Sequence, residues 1–188
     1  MSIDDENMVK LLKAEIESYL TESKPILDSV NVALSKLNKA SIDELKKFRS
    51  PPRKVKEVLE AVCVLKGVAP DIYGDYWLSA KRMMSEFGFI QSLISFDCEN
   101  VRPEYMKFIR ERYLTDLRFN PETIAKISKP CSDLCSWVLA VEKSYRVHEV
   151  IREKRAKLAI AEENALHNDT VINKIALAND PGRPDFFE

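Results

Sequence analysis

The chain has 188 residues, 45% of them hydrophobic and 31% charged, with a formal net charge of −1. That length suits one or two folded domains, and the near-neutral balance excludes a global field aimed at nucleic acid or a membrane surface. Only four glycines occur, no run of alternating β-branched residues is present, and Leu, Lys, Glu and Ala abound, a composition that indicates an all-α chain. The acidic opening "MSIDDENMVK" is not a signal peptide and no apolar run is long enough for a transmembrane span, so an intracellular, cytoplasmic compartment is expected.

Residues Met8 to Arg49 read as one long helix, broken only by Pro25. Leu12, Ile16, Tyr19, Ser23, Ile26, Val30, Ala33, Leu37 and Ala40 alternate by fours and threes, the mark of a coiled-coil seam. A second seam shares Ile16, Ser23, Val30 and Leu37 but uses Leu20, Leu27, Leu34 and Ser41 on its other side. Either a wide apolar stripe meets several helices, or one helix can pair in two registers. A helix of this length would extend about 60 Å, a rod rather than a core element.

From Lys46 to Lys56 lie six basic residues and no acidic one. Within that run Pro51, with Ser50 as cap, opens a helix whose Val55, Val58, Leu59 and Val62 share one face. Arg53, Lys54 and Lys56 then stand in its first turns, where the backbone dipole repels cations. "DYWLSAKRMMSEF" and "FIQSLISF" follow as helices separated at Gly88. "RPEYMKFIRERYL" begins at Pro103, and "NPETIAKIS" has Asn120 as cap and Pro121 in the first helical position. "KPCSDLCSWVLAV" leads into a second rod over residues 137–166, where Val147, Ile151, Lys154, Leu158, Ala161 and Ala165 repeat the seam spacing. The segment "NDPGRPD" ends any helix.

The four cysteines (Cys63, Cys98, Cys131 and Cys135) lack paired zinc spacing and are expected as buried, reduced core thiols; a metal site drawing on His148 is the alternative. Trp77, Trp137, Phe87, Phe89, Phe96, Phe119, Met83 and Met84 fall at helical spacing among other apolar residues and are expected in the core. No serine has a base-and-orienter arrangement. No phosphate-binding G-x-x-x-x-G-K-[ST] loop can be drawn from Gly67, Gly74, Gly88 and Gly182, so no catalytic residue, cofactor or metal is assigned.

Two long seams bracketing shorter helices predict a hairpin: an outgoing arm (1–49), a helical bundle (50–139), a returning arm (140–166) and an atypical, disordered tail (167–188). Paired within one chain, the arms form an antiparallel coiled coil and a monomer; paired between chains, they form a dimerising scaffold or adaptor.

The motifs "IDELKKFRSPPRKVKEVLEAVCVLKG", "YWLSAKRMM", "FIQSLISFDCENV", "FNPETIAKIS" and "LCSWVLAVEKSYRVHEVIREKRAKLAIAE", in this order, resemble the stalk and microtubule-binding domain of dynein heavy chains over residues 26–166. "SFDCENV" and "LCSWVLAV" are most similar to axonemal dyneins, those of cilia and flagella. The resemblance implies an antiparallel coiled-coil stalk bearing a small helical bundle that docks on α/β-tubulin, joined to an ATPase ring lying elsewhere in the parent motor, with sliding of the stalk helices controlling grip. It implies microtubule contacts at Lys56 and Lys126, with Arg53, Lys54, Lys129 and Arg102 adding to a basic face that matches the acidic tubulin surface. Arg110 and Arg112 could join the same field, and Glu99 and Glu122 could pair with basic groups on tubulin. Lys126 and Lys129 also read as cations near a helix C-terminus, favourable without any partner. The chain departs from the family at Glu153, which stands where the returning helix usually has proline, so that helix is expected to keep one more backbone hydrogen bond. The tail "HNDTVINKIALANDPGRPDFFE" does not read as a continuation of the family helix.

Overall fold

The computed structural model describes residues 3–178, and among these there is no strand. Eight helices follow one another: α1 (Ile3–Ser35), α2 (Lys39–Lys47), α3 (Arg53–Leu65), α4 (Trp77–Ser85), α5 (Phe89–Ile94), α6 (Pro103–Arg112), α7 (Pro121–Ala125) and α8 (Lys129–Ala178). The chain divides into two compact units, one built from residues 22–148 and the other from 3–21 with 149–178. No described helix is long and apolar enough to cross a membrane.

In the smaller unit the early part of α1 pairs with the later part of α8. Lys13 meets Glu162 at 2.8 Å, Lys154 meets Glu15 at 2.6 Å, and Lys154 also lies over the Tyr19 ring at 5.6 Å. Rising numbers on one segment meet falling numbers on the other, so the pair is antiparallel. Leu12 and Ile16 are buried on α1, and Ile151 and Ala165 on α8, with Lys154, Leu158 and Ala161 partly covered between them. These α8 positions reproduce the alternating spacing read from the sequence. Glu153 is exposed within an unbroken helix.

Pro25 does not break α1, which runs through it to Ser35. A proline inside a helix removes one backbone donor and crowds one carbonyl, and the rest of this 33-residue helix carries that local loss. The break comes at residues 36–38 instead, where Asn38 adopts extended backbone and its side chain accepts from the Ser41 N–H, opening α2. The single rod from Met8 to Arg49 is therefore two helices. At the other end α8 is one helix of 50 residues that begins at Lys129 and continues past 166 to Ala178. Ile172 and Ile175 do not extend the buried seam; they are 54% and 55% exposed. The expected stop at "NDPGRPD" and the last part of the tail lie outside the described residues.

The larger unit is organised around α3, whose Val55, Val58, Leu59 and Val62 are at most 1% exposed. α6 runs antiparallel to it: Arg112, at the end of α6, meets Glu60 at 3.4 Å, while Tyr105, near its start, lies beside Gly67 just beyond α3. Trp137 on α8 donates its indole N–H to the Leu93 carbonyl at 3.0 Å and takes the edge of Phe96 at 5.2 Å. Tyr113 stacks on Phe119 at 5.2 Å. Trp77 and Phe96 are partly buried against the core. Phe87 is not in the core at all: it is fully exposed at the tight turn joining α4 to α5. Gly88 turns the chain there with φ of +78°, a backbone that L side chains resist, and the neighbouring core places go to Met83, Met84 and Phe89.

Leu34 is completely buried in the larger unit, whereas Leu20 is 38% exposed in the smaller one. Leu34→Ala should cost about 2–5 kcal/mol of stability in urea unfolding followed by circular dichroism, and Leu20→Ala less than about 1 kcal/mol. Equal costs would contradict this placement of the two leucines.

Candidate functional site

The start of α3 is built from "SPPRKVKE". Pro52 is the residue before the helix and offers no side-chain cap, so the Ser50 cap expected from the sequence is not formed. Arg53 and Lys54 occupy the first two helical positions and no acidic residue lies in that turn, an arrangement that opposes the helix dipole. Two carboxylates offset it. Glu57, one turn along, accepts from Arg53 Nε at 2.7 Å and from Lys54 Nζ at 2.5 Å, and Asp116, from the segment between α6 and α7, accepts from Lys54 Nζ at 2.7 Å.

Asp116 is engaged from both sides, because Arg118 also donates to it from N, Nε and Nη2 at 2.9, 3.1 and 3.2 Å. Hydrogen bonds from Arg118 and then Lys54 hold its carboxyl well below the usual range. Burial works against the Lys54 charge, but its bonds to Asp116 and Glu57 outweigh that and raise its pKa. Lys54 is thus 13% exposed and Arg53 84% exposed, although they are neighbours in sequence.

Lys56 points to a different partner, Asp75, at 3.2 Å, and stays 42% exposed. Asp75 is held in place by the Trp77 N–H at 2.9 Å; that bond, followed by the Lys56 contact, lowers its pKa. The turn that delivers Asp75 is wound around Asp71, whose Oδ1 accepts the N–H groups of Tyr73 and Asp75, both at 2.9 Å.

Lys126 and Lys129 stand at different kinds of helix end. Lys126 is the exposed cap at the C-terminus of α7, where a cation suits the dipole, and its side chain has no ion pair among the described residues. Lys129 is instead the first residue of α8, against the dipole, 74% exposed and paired with Asp133 at 2.7 Å. The reading of Lys129 as a C-terminal cation is corrected: the helix holding Cys131 starts two residues earlier than its cysteine stripe suggests. Glu122 lies exposed in the first turn of α7, and Glu99 is exposed in the segment before α6.

Arg102 does not join this group. It is the residue before α6 and lies over the Tyr105 ring at 5.6 Å, next to Gly67 at the far end of α3. The 13 residues of α3 put about 18 Å between that end and Lys54. Arg110 and Arg112 each have partners within the larger unit, Arg112 while staying 57% exposed. Arg110 bonds Glu142 at 2.9 Å and lies over Tyr145, while Arg112 meets Glu60 and lies over Phe108. The sequence reading missed Glu57, Asp75, Asp116 and Arg118. Glu57 was legible from its spacing of four and three after Arg53 and Lys54; Asp116 is 62 residues from Lys54 and gave no local signal.

All four cysteines are free and buried. Burial pushes the thiols of Cys63 and Cys135 up to about 12 and that of Cys98 up to about 11, and raises Cys131 as well. Among the described residues no three His, Cys, Asp or Glu side chains converge as metal ligands.

An antiparallel pair of helical segments, together with a helical bundle bearing cations at two helix starts, defines a helical stalk-type binding module. The sequence matches the family described as the microtubule-binding stalk of the dynein motor over residues 3–180, and the chain belongs to that family. It is 37% identical over 161 residues to human dynein axonemal heavy chain 3, a match covering 80% of this chain and 4% of that protein. It is 35% identical over 154 residues to the dynein beta chain, flagellar outer arm, of Chlamydomonas reinhardtii, covering 81% of this chain and 3% of that one. The solved microtubule-binding domain of dynein-c aligns with a TM-score of 0.62 at 40% identity, over 76% of this chain and 97% of that structure. The chain therefore spans a small fraction of its curated relatives, and the family matched is the microtubule-binding stalk. The family match also extends well beyond residues 26–166 at both ends, taking in most of the segment that had read as foreign to the helix.

Because a buried thiol with a raised pKa holds little reactive thiolate, the native chain at pH 8 should resist iodoacetamide, and all four thiols should label once it is denatured. Rapid labelling of any one in the native chain, followed by mass spectrometry, would contradict the packing described.

Proposed function

We propose that this chain docks on the acidic surface of α/β-tubulin through exposed cations of the larger unit, with Arg53 and Lys56 at the start of α3, and Lys126 and Lys129 around the start of α8, as the contacts. The observation that carries this reading is that Arg53 and Lys129 remain 84% and 74% exposed although they stand at helix starts, where the dipole disfavours them. Cations held there with only an exposed ion pair each, which contributes little to stability, suit an anionic partner. Arg102 stands apart from these contacts.

Register control by the stalk is the second part of the proposal. Ile16 and Ser23 are buried, Val30 and Leu37 partly so, and Leu20 is turned outward. Residues shared by two seams support a slide that exchanges Tyr19 for Leu20 without opening the shared positions. The intrachain ion pairs between α1 and α8 support a monomer. The names of the relatives support an axonemal dynein heavy chain as the parent, hence a cytoskeletal, ciliary or flagellar location and an ATPase ring as the partner along the same polypeptide.

In cosedimentation, the chain should pellet with microtubules at low ionic strength and lose affinity steeply as salt rises, since exposed pairs are screened. Lys56→Glu should weaken binding roughly tenfold, equivalent to about 1.4 kcal/mol. Lys157→Glu, on the exposed part of α8 in the smaller unit, makes the same change in net charge and should leave binding nearly intact. Affinity insensitive both to salt and to Lys56→Glu would contradict the proposal, and sedimentation of the free chain should return the mass of one chain.

A further inference from the structure

Of the three cations in the first turns of α3, Lys54 differs from its neighbours. Its side chain is 13% exposed and lies between two carboxylates that are themselves mostly covered, Glu57 at 15% and Asp116 at 27%. Turning this ammonium toward an outside partner would break both pairs and draw it out of a covered position. Asp116 belongs to a segment whose ends, Tyr113 and Phe119, are buried in the core, while the hydrogen bonds between them are local. Its N–H bonds the Tyr113 carbonyl, the Phe119 N–H bonds the Asp116 carbonyl, and the Asn120 side chain bonds the Leu117 carbonyl. Arg118 closes back on Asp116. The Lys54–Asp116 pair ties this small knot, with Arg118 and the 91% exposed Leu117 on it, to α3. The segment runs directly into α7 and then to Lys126 and Lys129.

We propose that Lys54 is a positioning residue, a clasp that holds the 113–120 segment on the start of α3 and so sets the spacing between the Arg53–Lys56 cations and the Lys126–Lys129 cations, without itself touching tubulin. The affinity consequence rests on the microtubule-docking reading above; the clasp itself does not.

The test is a double-mutant cycle on the full chain with Lys54→Met, Asp116→Asn and their combination, plus Lys54→Arg. Charge effects common to both backgrounds cancel in such a cycle, leaving the interaction between the two residues. Amide exchange at Arg118 and Phe119 should speed up by about tenfold in Lys54→Met and in Asp116→Asn, and return toward the wild-type rate in Lys54→Arg. Microtubule affinity should fall about fivefold on Lys54→Met in the wild-type background, but less than about twofold when Asp116→Asn is already present. An equal loss in both backgrounds, with exchange unchanged, would make Lys54 a direct contact and overturn the proposal. If the wild-type chain does not bind microtubules, the docking reading fails while the exchange measurements still decide the clasp, which is overturned by wild-type rates in both single variants.

Discussion

The fold depends on keeping the apolar side of α8 covered from Cys131 to Ala165. Fifty residues of continuous helix carry a stripe that no local interaction can hide, and helices of this kind owe their stability to packing far more than to propensity. Two different covers are used. Over residues 129–148 the stripe bears Leu134, Trp137, Val138 and Val141, all within 1% of complete burial, inside a many-sided core fed by the short helices. Over residues 149–165 the cover is a single partner, the antiparallel start of α1, and burial narrows to Ile151 and Ala165 with partly covered positions between them. The first arrangement interlocks bulky side chains from several directions. The second is a seam of small and aliphatic residues flanked by ion pairs, which is the kind of contact along which a helix can change register.

Electrostatics in the larger unit show a related division of labour. Three cations at the start of α3 oppose the helix dipole, and each has a carboxylate beside it, yet those pairs are unequal. Arg53 and Lys56 reach their partners from exposed positions, where an ion pair contributes little to stability. Lys54 is covered and meets two carboxylates, one of them supplied by the segment between α6 and α7. A charge run that looks uniform in sequence is therefore split between a covered structural contact and exposed groups open to a partner.

Much of this is legible in the sequence alone. The Asn120–Pro121 start of α7 and the turn at Gly88 follow from caps and backbone preference, and the seam Ile151, Lys154, Leu158, Ala161, Ala165 follows from spacing alone. Errors arose where a local signal had two readings. Pro25 looked like the breaker in the first rod, but the competing cap at Asn38 ended the helix instead. Phe87 had the spacing of a core aromatic, yet the turn at Gly88 points it outward. The cations at these helix ends could be named from the sequence, but not sorted. Only tertiary structure shows that Lys54 is clasped by Asp116, that Lys129 opens a helix, and that Arg102 lies at the opposite end of α3.

The proposal that pairing between the start of α1 and the later part of α8 controls microtubule affinity is tested most directly by locking that pairing. Cysteines at 13 and 162, where Lys13 and Glu162 now meet at 2.8 Å, can be joined by a short thiol linker to hold the observed register; cysteines at 17 and 162 would hold a four-residue slide, while the native thiols stay buried. The account predicts clearly different microtubule affinities for the two locked chains, each insensitive to the other register. Equal affinities in both would contradict it.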